Sequence, residues 1–405
     1  MTMGQEMTAS RTSRFGSALV RVGAEAPDLV TAAEQAARAA LDGLGGAVPD
    51  LSCVFVCGPS DAAPSAGEAA CSVLGGNTVI GCSAPGVIGP GAGVEGASAV
   101  SVWSAVLPGA QLRTFHLRVI RAEDTLTVLG LPEGADEFAV GVLLADPRTF
   151  PIDGFVAGSN DALPGLPLVG GLAMSSDGGP TWLCQDGVTH SAGAVGVLIG
   201  GEVELATVVS QGCRPIGPTM AVTRSDGNEL LELAGKPACE KLQEILEALP
   251  AAEQAMALTG LQIGIAMDEY ADTHDRGDFL IRGVAGLYPD RGSVVVGDII
   301  EIGRTVRFQV RDSAAAHDEL AEVLGRLKAD SGSPGGALLF SCNGRGRAMF
   351  PSADHDPQVL GAALDVEPIA GFFAGGEIGP VGGRNHLHGF TASILTFGAG
   401  TTRAH

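Results

Sequence analysis

Four segments of the chain share one shape, in which an apolar strand runs into a glycine and then into a bend of small residues. They are 78–86 (TVIGCSAPG), 167–175 (PLVGGLAMS), 279–287 (FLIRGVAGL) and 368–376 (PIAGFFAGG). Their anchor glycines, Gly81, Gly170, Gly283 and Gly371, follow one another at steps of 89, 113 and 88 residues. The near-equal first and last steps predict two similar halves, each built from two copies of one unit. Another apolar strand precedes each anchor (53–57, 138–145, 261–267, 337–341), and a longer one usually follows (97–107, 192–199, 387–397). The unit then reads strand, crossover, strand, glycine bend, strand. That is the composition of an α+β fold, with mixed and antiparallel sheets covered by helices, rather than of a doubly wound sheet.

Local signals fill in the rest. Residues 28–44 carry Leu29, Val30, Ala33, Ala36, Ala37, Ala40, Leu41 and Leu44 at helical spacing, with Thr31 and Glu34 placed like a capping box and Gly45 as a stop. Residues 220–225 and 228–233 flank a two-residue Asp226-Gly227 turn and predict a hairpin. Pro237 opens a helix to about residue 249, and 312–328 is another. Residues 1–13 are polar and uncapped and read as a disordered tail.

Charge narrows the function. Forty-six acids against twenty-four bases leave the chain at −22, so its surface repels phosphate backbones and anionic headgroups, which makes nucleic acid and membrane poor partners. The longest apolar runs fall short of the ~18 residues a membrane helix needs, and the eight cysteines (53, 57, 71, 82, 184, 213, 239, 342) show no CxxC spacing. A cytoplasmic protein with free thiols is expected. No cofactor is implied: the glycine-rich 89–96 lacks GxxxxGK[ST] and reads as a flexible turn. The acidic run Asp268, Glu269, Asp272, Asp275, Asp278 lacks EF-hand spacing and reads as a solvated connection.

The second half contains an ordered set of strings: 222–238 (VTRSDGNELLELAGKPA), 278–286 (DFLIRGVAG), 335–350 (GGALLFSCNGRGRAMF), 367–380 (EPIAGFFAGGEIGP) and 387–391 (LHGFT). In that combination the chain resembles the carboxy-terminal module of the FIST family, and 78–87 with 167–173 resemble its amino-terminal module. The resemblance covers about 15–398. It implies an amino-terminal module over 14–213 and a carboxy-terminal module over 214–400, with a seam near 212–218 (GCRPIGP). It further implies a sensory protein that binds a small ligand, an amino acid being the favoured guess. The family's modules occur alone, fused to signalling proteins or behind an F-box. About thirteen residues before the first strand are too few for an F-box and only a short tail follows Phe397, so this chain is expected to signal through an unidentified partner or through self-association.

The candidate ligand-binding residues are Arg345, Glu377, Arg282, Cys342, Gly376 and His388. Arg345 and Cys342 occupy a glycine-punctuated loop directly after an apolar strand, where binding groups tend to sit, and a guanidinium there offers a planar fork to a carboxylate. Glu377 follows Ala374-Gly375-Gly376, which lets a backbone approach a ligand closely, and its carboxylate suits an ammonium group. Arginine and glutamate together would describe an amino-acid pocket, while the structural alternative pairs Glu377 with Arg345 or Arg282. Arg282, inside the apolar run FLIRG, needs an acid or carbonyl partner. His386 and His388 share a strand face and, with Cys342 and Glu377, could form a metal shell. Cys342 could otherwise act as a nucleophile with His388 as base, which makes an enzyme the alternative function. A scaffold that binds no metabolite is the third. Residues 343–347 or 375–384 are the expected gates.

Overall fold

The computed structural model describes residues 12–398 apart from 76–77, 123–124, 270, 272–273 and 275–276. Most of the expected tail, and Asp272 and Asp275 of the acidic run, lie outside the described residues.

The first unit starts with β1 (Arg14–Arg21) and α1 (Leu29–Asp42). Asp28, in extended conformation, caps this helix by accepting the Thr31 N–H at 2.8 Å, so the cap is Asp28 and Thr31 already lies inside. Then come β2 (Leu51–Cys57), α2 (Ala63–Leu74), β3 (Val79–Ser83), the hairpin β4 (Gly86–Gly89) and β5 (Ala92–Glu95), and β6 (Ala99–Val106). β2 and β3 are parallel across the α2 crossover, β6 runs antiparallel to β2, and β1 antiparallel to β6, in the spatial order β1-β6-β2-β3.

The second unit repeats this. β7 (Ala110–Ala122), with the ribbon strand β8 (Thr125–Leu129), precedes β9 (Val140–Ala145), α3 (Ile152–Ala162), β10 (Leu168–Leu172), the hairpin β11 (Leu183–Gln185) and β12 (Val188–His190), and β13 (Ala194–Gly201). The order is again β7-β13-β9-β10, with β9 and β10 parallel.

β14 (Leu205–Gln211) opens a third unit, which an insertion then interrupts. The insertion contains β15 (Cys213–Pro215), β16 (Met220–Asp226), β17 (Glu229–Leu233), β18 (Lys236–Pro237), α4 (Ala238–Ala248), α5 (Ala251–Gly260), β19 (Leu261–Ala266), β20 (Phe279–Tyr288), β21 (Ser293–Val296) and β22 (Thr305–Arg311). The third unit resumes with α6 (Ser313–Ser331), β23 (Gly336–Cys342), α7 (Gly346–Met349), α8 (His355–Leu364), β24 (Ile369–Ala374), the hairpin β25 (Glu377–Val381) and β26 (Arg384–His388), and β27 (Thr391–Phe397). Its order, β14-β27-β23-β24, matches the other two.

The glycine anchors explain why three units are alike. Gly81, Gly170 and Gly371 stand opposite Val54, Leu143 and Leu339 of the parallel partner strands, and a Cβ at any of them would collide with that partner's carbonyl oxygen. Gly283 differs. It pairs with Gln262 across the antiparallel β19–β20, and a Cβ there would meet nothing nearer than 3.8 Å. The expected four copies in two halves are therefore three copies of one unit and an inserted sheet of another build. The inserted hairpin turns at Gly227-Asn228, because Asp226 is already paired with Glu229 and Gly227 takes φ +58°.

Each unit hands its hairpin to a neighbour. β4 pairs with β24 of the third unit, β11 with β3 of the first, and β25 with β10 of the second. The strand that would be a bare edge in each sheet is thereby covered. Strand alternation then splits the burial. Leu51, Cys53 and Phe55 of β2, Val140, Val142 and Leu144 of β9, and Leu338 and Phe340 of β23 face one shared core. Val54 and Val56, Leu143 and Ala145, and Ala337 and Leu339 face outward onto separate helix-covered cores. The inserted sheet has its own core with α4 and α5. Among the described residues, no helix is long and apolar enough to cross a membrane.

Candidate functional site

The family-like strings of the third unit converge behind the hairpin β25–β26. Arg345, at the start of α7, is fully buried, and its fork is closed by Asp356 of α8, with Nε to Oδ2 at 2.8 Å and Nη2 to Oδ1 at 2.9 Å. Ser341 donates to the same carboxylate at 2.6 Å, and His355 Nδ1 lies 2.9 Å from it. Burial disfavours the Asp356 charge, but Arg345 and these hydrogen bonds outweigh it and hold the carboxyl below the usual range. The remaining guanidinium nitrogen, Nη1, lies 3.5 Å from the Phe390 carbonyl oxygen. Arg345 therefore presents no free fork to a ligand carboxylate.

Glu377 is also fully buried and pairs with neither Arg345 nor Arg282. Its Oε2 accepts from the Thr391 N–H at 3.1 Å and hydroxyl at 2.8 Å, while Oε1 has no hydrogen-bond partner. Burial, only partly offset by Thr391, pushes its carboxyl up to about 8. Cys342 is buried, and burial followed by the neighbouring Glu377 pushes its thiol up. His388, directly across the hairpin from Glu377, lies 3.0 Å through Nε2 from the Gly379 carbonyl oxygen, leaves Nδ1 unpartnered, and is lowered by burial to about 3. Its ring shares a face with His386, the centroids 5.9 Å apart. A neutral thiol and a histidine turned to a backbone carbonyl give no activated nucleophile. Among the described residues, no three His, Cys, Asp or Glu side chains are grouped to hold a metal ion. Gly376 is a packing position: its carbonyl accepts from Leu172 N–H at 2.8 Å, and a Cβ would press on the Leu172 side chain at 2.9 Å.

The tip of the same hairpin forms a wall of an open groove of about 440 Å³, between α3, β20 and β26. Arg282 lines it, with Nε held by Asp298 Oδ2 at 2.7 Å and Nη1 by the Leu387 carbonyl at 2.8 Å, which are the acid and carbonyl partners an arginine in an apolar strand needs. Arg384 lines it too, exposed, and its side chain has no ion-pair or hydrogen-bond partner among the described residues. Asp153, Asp298, Asn160, Asn385 and His386 are the other polar residues of its lining, and burial lowers His386 to about 4. Asn385 fastens the wall: its side chain accepts from Leu168 N–H at 2.8 Å and donates to the Leu166 carbonyl at 2.9 Å, while its backbone exchanges two bonds with Asn160 at 2.7 and 3.0 Å. The equivalent seat in the third unit, where the β4–β5 turn meets α8, holds about 510 Å³, with Glu367 the charged group in its lining. In the first unit Trp182 lies against α2, where a Cβ on Gly67 would strike its ring.

Family models match this chain over nearly all of the described fold: the FIST N domain over residues 50–236 and the FIST C domain over residues 238–380. The chain belongs to the FIST family. FIST domains are associated with small-ligand sensing in signalling. An uncharacterised protein of Mycobacterium tuberculosis is 41% identical over 375 residues, spanning 92% of this chain and 97% of the relative. An uncharacterised protein of Mycobacterium bovis is 40% identical over 374 residues, spanning 92% and 96%.

In this FIST protein the glycines of the family-like strings have steric reasons. A Cβ on Gly344 would meet the Phe390 ring at 2.6 Å, so FSCNGRG and LHGFT interlock around Phe390, itself at φ +60°. Of the six residues singled out from sequence, the fold gathers Cys342, Glu377, Gly376 and His388 around the hairpin base, buries Arg345 in a separate ion pair, and sets Arg282 in the groove. Sequence reasoning missed Asp356, Thr391, Arg384 and Asn385. Arg384 had a signal, a lone base after two glycines in GGRNH, and Thr391 closes the family-like string LHGFT; Asp356 and Asn385 had none.

Proposed function

We propose that this protein senses a small carboxylate, an amino acid in the favoured case, in the groove between α3, β20 and β26, and passes the signal to a partner protein in the cytoplasm. The observation that carries this reading is Arg384, a guanidinium without a partner among the described residues, lining a groove of about 440 Å³ in a chain whose net charge of −22 offers acids freely. That volume suits a small molecule. Arg384 supplies the donors for a carboxylate, Asp153 on α3 supplies a carboxylate for an ammonium group, and Arg282, fixed by Asp298, adds positive potential.

The hairpin gives binding a route to the rest of the fold. Its outer end lines the groove, while its base carries Glu377 and His388, each with an unpartnered buried atom. A ligand that draws Arg384 inward bears on a strand pair belonging to the third unit but hydrogen-bonded into the sheet of the second. Thermal-shift screening of the common amino acids and small mono- and dicarboxylates tests the reading. A ligand at a hundredfold excess over Kd stabilises by about 2.7 kcal/mol. Arg384→Gln should abolish that shift with the unliganded melting point unchanged; no stabilising carboxylate, or an equal shift in the variant, overturns the assignment.

A further inference from the structure

Two thiols from distant parts of the chain meet where the first sheet receives its borrowed hairpin. Cys71 lies in the last turn of α2 and Cys184 in the middle of β11, 113 residues later, with their sulfurs 3.5 Å apart. Cys184 sits opposite Gly81 of β3. A disulfide bond of ~2.05 Å requires the sulfurs to close by about 1.5 Å. The two thiols are unequal in access: Cys71 is half-buried and Cys184 is buried. A more accessible thiol with a second one directly behind it is the arrangement of an attacking and a resolving cysteine.

We infer that Cys71 and Cys184 are a reversible oxidation site, forming a disulfide when the protein meets hydrogen peroxide. The Cys71 sulfur attacks one peroxide oxygen, the O–O bond breaks, and water leaves with a thiol proton. Cys184 then attacks the resulting sulfenic sulfur, the S–O bond breaks, and a second water leaves. Two thiols are oxidised by two electrons and one peroxide is reduced to two waters.

The surroundings favour Cys71 as the attacking thiol. Its hydrogen bond with Cys184 favours its thiolate, outweighing burial and the nearby Glu68 and Asp186. Cys53, Cys82 and Cys342 are buried, and burial pushes each of them up. Cys239 is half-buried like Cys71, but its thiol is spent on the Ser293 carbonyl at 3.0 Å and burial raises it, which makes it the internal control. The new bond would tie a hairpin of the second unit to the crossover helix of the first, fixing one of the three exchanged hairpins in its seat.

The test treats the reduced full chain with a few equivalents of hydrogen peroxide, then counts thiols under denaturing alkylation and maps crosslinked peptides. Wild type should fall from eight thiols to six, with the link between residues 71 and 184, and dithiothreitol should restore all eight. Cys184→Ser should instead trap a dimedone-reactive sulfenic acid at Cys71, and Cys71→Ser should show no adduct at Cys184. Eight thiols remaining in wild type, or a link mapped to other cysteines, overturns the inference; the wild-type map decides even where a variant folds poorly.

Discussion

Arg345 and Arg384 belong to the same third unit and meet opposite fates. Arg345 is sealed in the interior, where an ionised group is tolerable only when paired, and Asp356 closes both arms of its fork while Ser341 and His355 occupy the acid's remaining lone pairs. Arg384 stands on the groove rim, where water solvates it and no partner is required. The buried arginine looked in the sequence like the better ligand group, because it sits in the family-like string. The comparison teaches that a buried charge is already committed, and that a site able to recruit a new anion needs the uncommitted one.

The largest test of this contrast is Asp356→Ala, which strands a buried guanidinium and should cost about 3–5 kcal/mol in urea unfolding. A loss below about 1 kcal/mol would mean that Arg345 relaxes to solvent and that the two arginines are alike. Asn385→Ala comes next. Losing three side-chain hydrogen bonds, to Leu168 N–H, the Leu166 carbonyl and the Ser159 hydroxyl, should cost about 2 kcal/mol and, by freeing the groove wall, weaken the ligand-dependent shift. An unchanged ligand shift in a destabilised variant would separate the wall from the site.

The hairpin base makes a smaller prediction with a definite sign. Folded Glu377 keeps its proton up to about pH 8, whereas the free carboxyl loses it near 4.5, so the folded state binds more protons in between and stability falls as pH rises, by up to ~1.4 kcal/mol per unit. His388, lowered from 6.5 to about 3, and His386, lowered to about 4, act the other way: their stability is present above 6.5 and is lost as pH falls. The slopes oppose one another between 4.5 and 6.5, and above that Glu377 acts alone among the three. Wild type should therefore lose stability from pH 6.5 to 8 relative to Glu377→Gln; parallel curves would show that the buried carboxyl is already ionised. The smallest effect on stability is expected for Arg384→Gln, within about 0.5 kcal/mol of wild type without ligand. A larger change would reveal a structural role and erase its contrast with Arg345.

Much of the local architecture was legible. The strands around the glycine anchors, the helices at 28–44, 237–249 and 312–328, and the shared face of His386 and His388 follow from periodicity alone. The equivalence of Gly81, Gly170 and Gly371 was legible because a parallel neighbour's carbonyl leaves no room for a Cβ, and selection against that clash writes glycine into the chain. Gly283 carried the same letter for a different reason, so the spacing argument counted one copy too many. The exchange of hairpins was not legible, since a short strand such as 377–381 reads the same whether it pairs within its own unit or with β10.

The sequence by itself determined the α+β composition, the recurring unit, the net charge of −22, and the strings that mark a FIST protein. These depend on sterics and burial within a few neighbouring residues. Only the tertiary structure decided which acid meets which arginine. Asp356 lies eleven residues beyond Arg345 and Asn385 lies 225 beyond Asn160, and with forty-six acids in the chain nothing in their order says which pairs close in space. Pairing is set by where the backbone delivers each side chain, and so is which groove arginine has no partner among the described residues.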